Sequence, residues 1–338
     1  MRPIRFNTGN RQRVTPLNTY HLASMKGANG LNPSAILLLK NTVRLLRPIA
    51  VITSSVVIIF SGVFPLFAYY DLPKGVLSAV SLLLLVGCFI IHGALTHALN
   101  DYTDYLSGTD QHSPAYLSGG SRVIQEGRIA PHTLKWIGYG LAIVLLVIAG
   151  VLALLGYYPL ALLLVIGVWG AASYSMPPLR FSYIPLAGEW LSTFPSAFFL
   201  GLAGVWIMLG DFPEWAVQNA VINALYCIAW VMIHHIPDLQ ADQQASPVKR
   251  TSVVWSVEMF GPKYSSLPAI VYMIMIGLCA FWLGADRLWA AIGVAVIAVV
   301  SIVLIVKTDI QDAEQVTASE KKLLLIAMIT AIWLGIFI

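Results

Sequence analysis

Asn100, Asp101, Asp104 and Asp110 gather an amide and three carboxylates directly after an apolar run, Leu77 to Leu99, that is long enough to cross a bilayer. A second cluster, His234-His235-Ile236-Pro237-Asp238-Leu239-Gln240-Ala241-Asp242, closes another apolar run further along the chain. Positions four apart share a helix face, so His92, Thr96, Asn100 and Asp104 form one stripe and His97 with Asp101 its neighbour. His234, Asp238 and Asp242 repeat that spacing, with Pro237 loosening the ladder between them, and Asp110 returns from a turn beyond Gly108. Carboxylates converging near low dielectric repel one another. At ~6 Å and an effective dielectric of ~20, each pair costs on the order of 3 kcal/mol. Something positive must offset this.

Oxygen ligands without a cysteine cage favour Mg²⁺ over zinc, and Mg²⁺ binds through few carboxylates plus substrate phosphates. The basic residues nearby in sequence, Arg122, Arg180, Lys249 and Arg250, suit the remaining phosphate charge. The chemistry this assembles is a divalent metal carrying a diphosphate. Acids at helix ends also serve as caps, but two clusters on one side, each followed by basic residues, speak against that reading. His92, His97, His234 and His235 read as satisfied polar residues at helix interfaces, not as ligands. Cys88, Cys227 and Cys279 lie in apolar runs without CxxC spacing and read as packing residues.

The elements that position these groups follow from composition. Of 338 residues, 58% are hydrophobic and 11% charged, and mean hydropathy is +0.78. A soluble domain carries about 25% charged residues, so most of this surface faces lipid. Nine segments have the length of a membrane helix: about 49–70, 76–99, 134–156, 158–175, 191–210, 216–236, 267–285, 288–306 and 322–338. Backbone groups in lipid must be satisfied within the segment, so the fold class is an all-α polytopic membrane protein. With the N-terminus inside, the outer loops hold only Lys74 and Arg287 of the 20 Lys and Arg, a decisive positive-inside bias. The elaborated connections, about 100–133 and 237–266, then lie on the cytoplasmic side with the acidic clusters.

Residues 1–40 form a basic, polar segment ahead of the helical domain of 41–338, and no acid precedes Asp71. It reads as a cytoplasmic tail or a start upstream of the true one at Met25, with a transit peptide as the rival. Spans one to four and five to eight each end their second helix on an acidic cluster, the pattern of a parallel duplication.

Asn100-Asp101-x-x-Asp104 with Asp110, Arg122 followed by Gly127-Arg128-Ile129, Tyr174-Ser-x-Pro-Pro-Leu-Arg180, and Asp238-x-x-x-Asp242 before Lys249-Arg250-Thr251 resemble the UbiA-type intramembrane prenyltransferases. The likeness runs from about Arg47 to the last span. It implies nine helices around a central cavity capped by cytoplasmic loops, and transfer of an isoprenyl chain from a Mg²⁺-bound polyprenyl diphosphate. The implied metal ligands are Asn100, Asp101, Asp104, Asp110, Asp238 and Asp242, with Asn100, Arg122, Lys249 and Arg250 on the diphosphate. Asp104, Asp238, Tyr174 and Arg180 are the implied catalytic set, the last two lining the cavity.

The first motif departs from the widespread form by carrying Gly108 and displacing its last acid to Asp110. That version, with Gly119-Gly120-Ser121-Arg122, looks most like the branch acting on 1,4-dihydroxy-2-naphthoate in menaquinone synthesis. The Ile-Pro-Asp form of the second motif resembles carotenoid-prenylating relatives, which leaves the acceptor open between an aromatic, a carotenoid and a glycerolipid. A terpene cyclase of the same architecture and a secondary transporter are the rival functions. The expected partners are the diphosphate donor, a lipophilic or aromatic acceptor and membrane lipid, with no nucleic acid. The expected location is a bacterial inner membrane, an organelle membrane being the alternative.

Overall fold

The computed structural model describes residues 33–113 and 119–338. The tail before Pro33, with its alternative start at Met25, lies outside the described residues. Thirteen helices follow in chain order, and no strand occurs among the described residues. They are α1 (Pro33–Leu46), α2 (Pro48–Tyr69), α3 (Lys74–Ser107), α4 (Thr109–His112), α5 (Pro131–Leu154), α6 (Tyr158–Ser175) and α7 (Gly188–Leu209). Next come α8 (Glu214–His234), α9 (Leu239–Gln244), α10 (Ser252–Phe260), α11 (Pro262–Leu283), α12 (Leu288–Lys307) and α13 (Ala313–Ile336). Residues 33–40, placed in the polar tail by sequence, belong to α1.

Among the described residues, eight helices are long and apolar enough to cross a membrane: α2, α3, α5, α6, α7, α8, α11 and α12. They coincide with eight of the nine expected spans. The ninth, expected over 322–338, is the distal part of α13, whose opening turns carry Glu314, Glu320, Lys321 and Lys322. One boundary differs with consequence. The apolar run ends at Leu99, but α3 continues to Ser107, because nothing before Gly108 (φ 80°) interrupts the helix. The first acidic cluster therefore rides on a rigid helix instead of opening a loop.

The most enclosed span is α8, which packs against α7, α11 and α13 through Ile222, Tyr226, Ile228 and Met232. Helices α2 and α7 approach so closely that a Cβ at Gly62 would lie 2.3 Å from the Gly201 carbonyl oxygen, the small-residue contact that lets membrane helices touch backbone to backbone. Pro65, inside α2, removes the donor that would bond the Ser61 carbonyl. Asn219 of α8 supplies it, with Nδ2 3.3 Å from that oxygen, and Asn223 Nδ2 donates to the Ser61 hydroxyl at 3.0 Å. Such replacement partners are what make proline tolerable in a membrane helix.

Arg287, counted from sequence as an outer charge, is buried. It donates to Gln218 Oε1 at 2.7 Å, Asn219 Oδ1 at 2.9 Å and the Phe337 carbonyl at 2.8 Å, tying the end of α13 to α8. At the opposite end of these helices, α4 packs on α9 and the Ser246 amide donates to the Ser107 carbonyl at 2.9 Å. The segments that follow α3 and α8, and with them the two acidic clusters, are thereby side by side.

Candidate active site

A cavity of about 640 Å³ lies between α2, α3, α5, α6, α7 and α8. Leu84, Leu152, Leu160 and Leu163 line its apolar part, and Asn100, Asp104, Tyr174, Asp238 and Lys249 line its polar end. The stripe read from spacing is realised, since His92, Thr96, Asn100 and Asp104 all face this space. The α3 backbone is π-helical over Phe89–Thr96, a local widening frequent at functional sites.

Lys249 joins the clusters. Its Nζ donates to Asp104 Oδ1 at 3.1 Å and lies 3.9 Å from Asp242 Oδ1, an ion-pair distance without hydrogen-bond geometry. Burial opposes its charge, but the Asp104 and Asp242 carboxylates outweigh that and hold it well above the ordinary lysine value. Asn100 is fixed from two sides, donating to Asp104 Oδ2 at 3.0 Å and accepting from the Ser175 hydroxyl at 2.9 Å. Asp238 accepts from the Ser113 hydroxyl at 2.7 Å, so the first cap segment touches the second cluster. Burial, then the neighbouring Asp242, pushes Asp238 up to about 6.

Asp101 and Asp110, expected among the metal ligands, do not line the cavity. The cap segment takes both. The Ser121 hydroxyl and amide donate to Asp101, and Gln125 Nε2 donates to Asp110 Oδ2 at 2.8 Å. Gly120 (φ 66°) passes between them, where a Cβ would sit 3.1 Å from Asp110 Oδ2 and 3.2 Å from Asp101 Oδ1. Asp110 stays within electrostatic reach of Asp104 and Asp238, and burial followed by these charges raises it to about 8.

The basic residues divide likewise. Arg122 Nη1 and Arg180 Nε are buried without a hydrogen-bond partner among the described residues. Both arginines have left-handed backbone, with φ 60° and 44°, strain of the kind that clusters at functional sites. Arg180 does not line the cavity as expected; its guanidinium carbon stands 5.4 Å from the Tyr183 ring centroid, and Lys249 Nζ is 5.8 Å from the same ring. Arg250, expected on the diphosphate, is exposed and pairs with Glu258 at 2.6 Å. Proximity to Lys249 in sequence misled here, because adjacent residues of an extended segment face opposite ways.

Tyr174 lines the cavity, its hydroxyl 3.0 Å from His235 Nε2. The other histidines hold partners as expected: His92 Nδ1 lies 2.7 Å from the Ser55 hydroxyl, His97 Nδ1 2.9 Å from the Gly93 carbonyl and His234 Nδ1 2.7 Å from Glu320 Oε1. The cysteines are free. Sequence reasoning missed Arg47, which lines the cavity, and Tyr183 and Glu320, which carry no local signal.

No three His, Cys, Asp or Glu side chains among the described residues converge closely enough to hold a metal unaided. Both Asp242 carboxylate oxygens are nevertheless buried without a hydrogen bond among the described residues, beside Asp104 across one lysine. All-oxygen donors from two helices, too few for a closed cage, fit a hard divalent ion completed by phosphate oxygens.

The profile of the UbiA prenyltransferase family matches residues 55–329, more than half of the chain, and both acidic clusters fall within it. No curated protein and no solved structure matches the chain. The chain belongs to the UbiA prenyltransferase family.

Proposed function

We propose that this integral membrane prenyltransferase transfers an isoprenyl chain from a polyprenyl diphosphate to an aromatic acceptor such as 1,4-dihydroxy-2-naphthoate, in a Mg²⁺-dependent reaction of quinone biosynthesis. The observation that carries it is Lys249 standing between Asp104 and Asp242 at the polar end of an apolar cavity. One end of such a space suits a diphosphate and the rest an isoprenoid tail.

Asn100, Asp104, Asp238 and Asp242 would hold the ion, which when bound would offset charge on the diphosphate as its carbon–oxygen bond lengthens. Lys249 binds the leaving group's oxygens, and the donors of Arg122 and Arg180, unpartnered among the described residues, suit an anion. Ser175 and Ser113 orient Asn100 and Asp238. The leucine-lined walls exclude water from the allylic cation, and Tyr174 borders the space left for the acceptor. With α13 as the ninth span and the N-terminus inside, the polar end faces the cytoplasm, where both substrates' charged groups reside.

The test is product analysis by mass spectrometry from purified protein, Mg²⁺, geranylgeranyl diphosphate and a panel of aromatic, carotenoid and glycerolipid acceptors. A prenylated aromatic product, lost on chelation, is the expected result. Diphosphate release with no acceptor consumed would instead identify a cyclase.

A further inference from the structure

Glu320 is fully buried on α13, and the diphosphate site makes no use of it. An isolated carboxylate inside a membrane protein is costly and calls for a partner. Its partner is His234, the last residue of α8, whose Nδ1 lies 2.7 Å from Glu320 Oε1, while Oε2 has no hydrogen bond among the described residues. His234 lines the cavity one helical turn before Asp238. Trp230, which also lines the cavity, stacks on its ring at 4.8 Å between centroids and 28° between planes. Imidazole orientation is thus set on one side by a carboxylate and on another by an aromatic face. The titratable groups near it are His97 of α3, His235 and Asp238 beside it in sequence, and Glu320 of α13.

With Glu320 as a carboxylate, Nδ1 carries the hydrogen and Nε2 is left with a lone pair. Among the described residues Nε2 has no hydrogen-bond partner, and it is not enclosed like the orphaned buried atoms of Arg122 or Asp242. A base with its tautomer fixed by a buried acid, opening on a substrate cavity, is the orienting logic of acid–histidine pairs in acyl transfer. The reaction proposed above needs such a base at the acceptor.

We infer that His234, oriented by Glu320, takes the hydroxyl proton of the acceptor during prenyl transfer; this rests on the function proposed above. The hydroxyl proton moves to Nε2, and the O–H electron pair moves into the ring. A ring π pair forms the bond to the prenyl carbon, and the carbon–oxygen bond of the donor breaks with its pair leaving on diphosphate. The resulting dienone regains its aromatic ring when the hydrogen of the attacked carbon shifts to the carbonyl oxygen. The imidazolium is held by the Glu320 carboxylate until it releases its proton. His234 is the catalytic residue here and Glu320 the positioning residue.

The test uses the full chain in detergent with Mg²⁺, geranylgeranyl diphosphate, 1,4-dihydroxy-2-naphthoate and a series of 1-naphthols whose hydroxyls range from neutral to fully ionised at the assay pH. His234→Gln and Glu320→Gln preserve side-chain size. Glu320→Gln can still accept from Nδ1–H through its amide oxygen, but it removes the negative charge that holds the imidazolium. Both variants are expected to keep the donor's thermal-shift stabilisation and its KM while kcat on neutral naphthols falls at least about 10²-fold. The deficit should shrink towards wild type as the naphthol ionises, because an ionised acceptor needs no base; a merely structural defect would lower all acceptors alike. Equal loss across the series, loss of donor binding in parallel, or full retention overturns the inference while leaving the transferase reading intact. A wild-type protein that prenylates no acceptor sinks both.

Discussion

Lys249 Nζ lies 3.1 Å from Asp104 Oδ1, an ion pair between the connection after α9 and a helix 145 positions earlier. It is the contact through which the two acidic clusters become one site.

Lys249→Met leaves Asp104 and Asp242 buried without their shared cation. Removing one partner of a buried pair costs about 3–5 kcal/mol. Thermal unfolding of the metal-free variant in detergent should therefore shift well below wild type. Mg²⁺ with pyrophosphate should recover part of the deficit by returning positive charge to the two carboxylates.

Asp104 and Asp101 sit on adjacent faces of α3 and are predicted to behave differently. Asp104→Asn should lower kcat by at least about 10²-fold, the order lost with one preorganised electrostatic group. Asp101→Asn should retain most turnover and instead reduce hydrogen-exchange protection of residues 119–125, which Ser121 ties to it. Equal, deep losses in the two variants would return Asp101 to the metal ligands.

Burial raises Asp238 to about 6 and Asp110 to about 8, from the usual carboxylate value of 3.8. A carboxyl whose folded value is raised contributes stability that is fully present below its unfolded value and lost as pH rises through the folded one. Metal-free protein should therefore lose stability between about pH 4 and pH 8 on this account, as read by thermal unfolding with chelator present. Protons compete with Mg²⁺ for Asp238, so the stabilisation by added Mg²⁺ should grow as pH rises through 6.

The arginines separate by surroundings. Arg250 and Glu258 are exposed by 48% and 37%, and such pairs contribute about 0–1 kcal/mol. Arg250→Ala should leave turnover and stability near wild type. Arg122→Ala and Arg180→Ala should raise the KM for the diphosphate donor, since each removes a buried donor without a hydrogen-bond partner among the described residues. Steady-state kinetics on the three variants decides this.

Arg287→Leu removes the link between α8 and the end of α13 and strands several carbonyls. Hydrogen bonds to a charged group contribute about 1.5–3 kcal/mol, so a loss of that order is expected in thermal unfolding. The donor KM should not change, because Arg287 lies at the end of the helices away from the cavity's polar groups.

Apolar run length and the spacing of Asn100, Asp104 and Asp238 were enough to read the membrane class, eight of the spans and these three residues facing the cavity; Asp242 reaches the site only through Lys249. Both signals are local: hydrocarbon thickness sets the first and helical periodicity the second. Which acids turn inward was a different matter. Asp101 and Asp104 are the same residue type three positions apart, and only the fold of the cap segment, with Ser121 reaching one and Lys249 the other, distinguishes them. The same holds for Lys249 and Arg250, neighbours that part to a buried cluster and to solvent. Glu320 looked like one charge among several at the start of a helix, and its pairing with His234 exists only because α13 packs on α8. Sequence periodicity shows what can lie on a face, but which partner covers that face is decided by contacts between segments far apart in the chain.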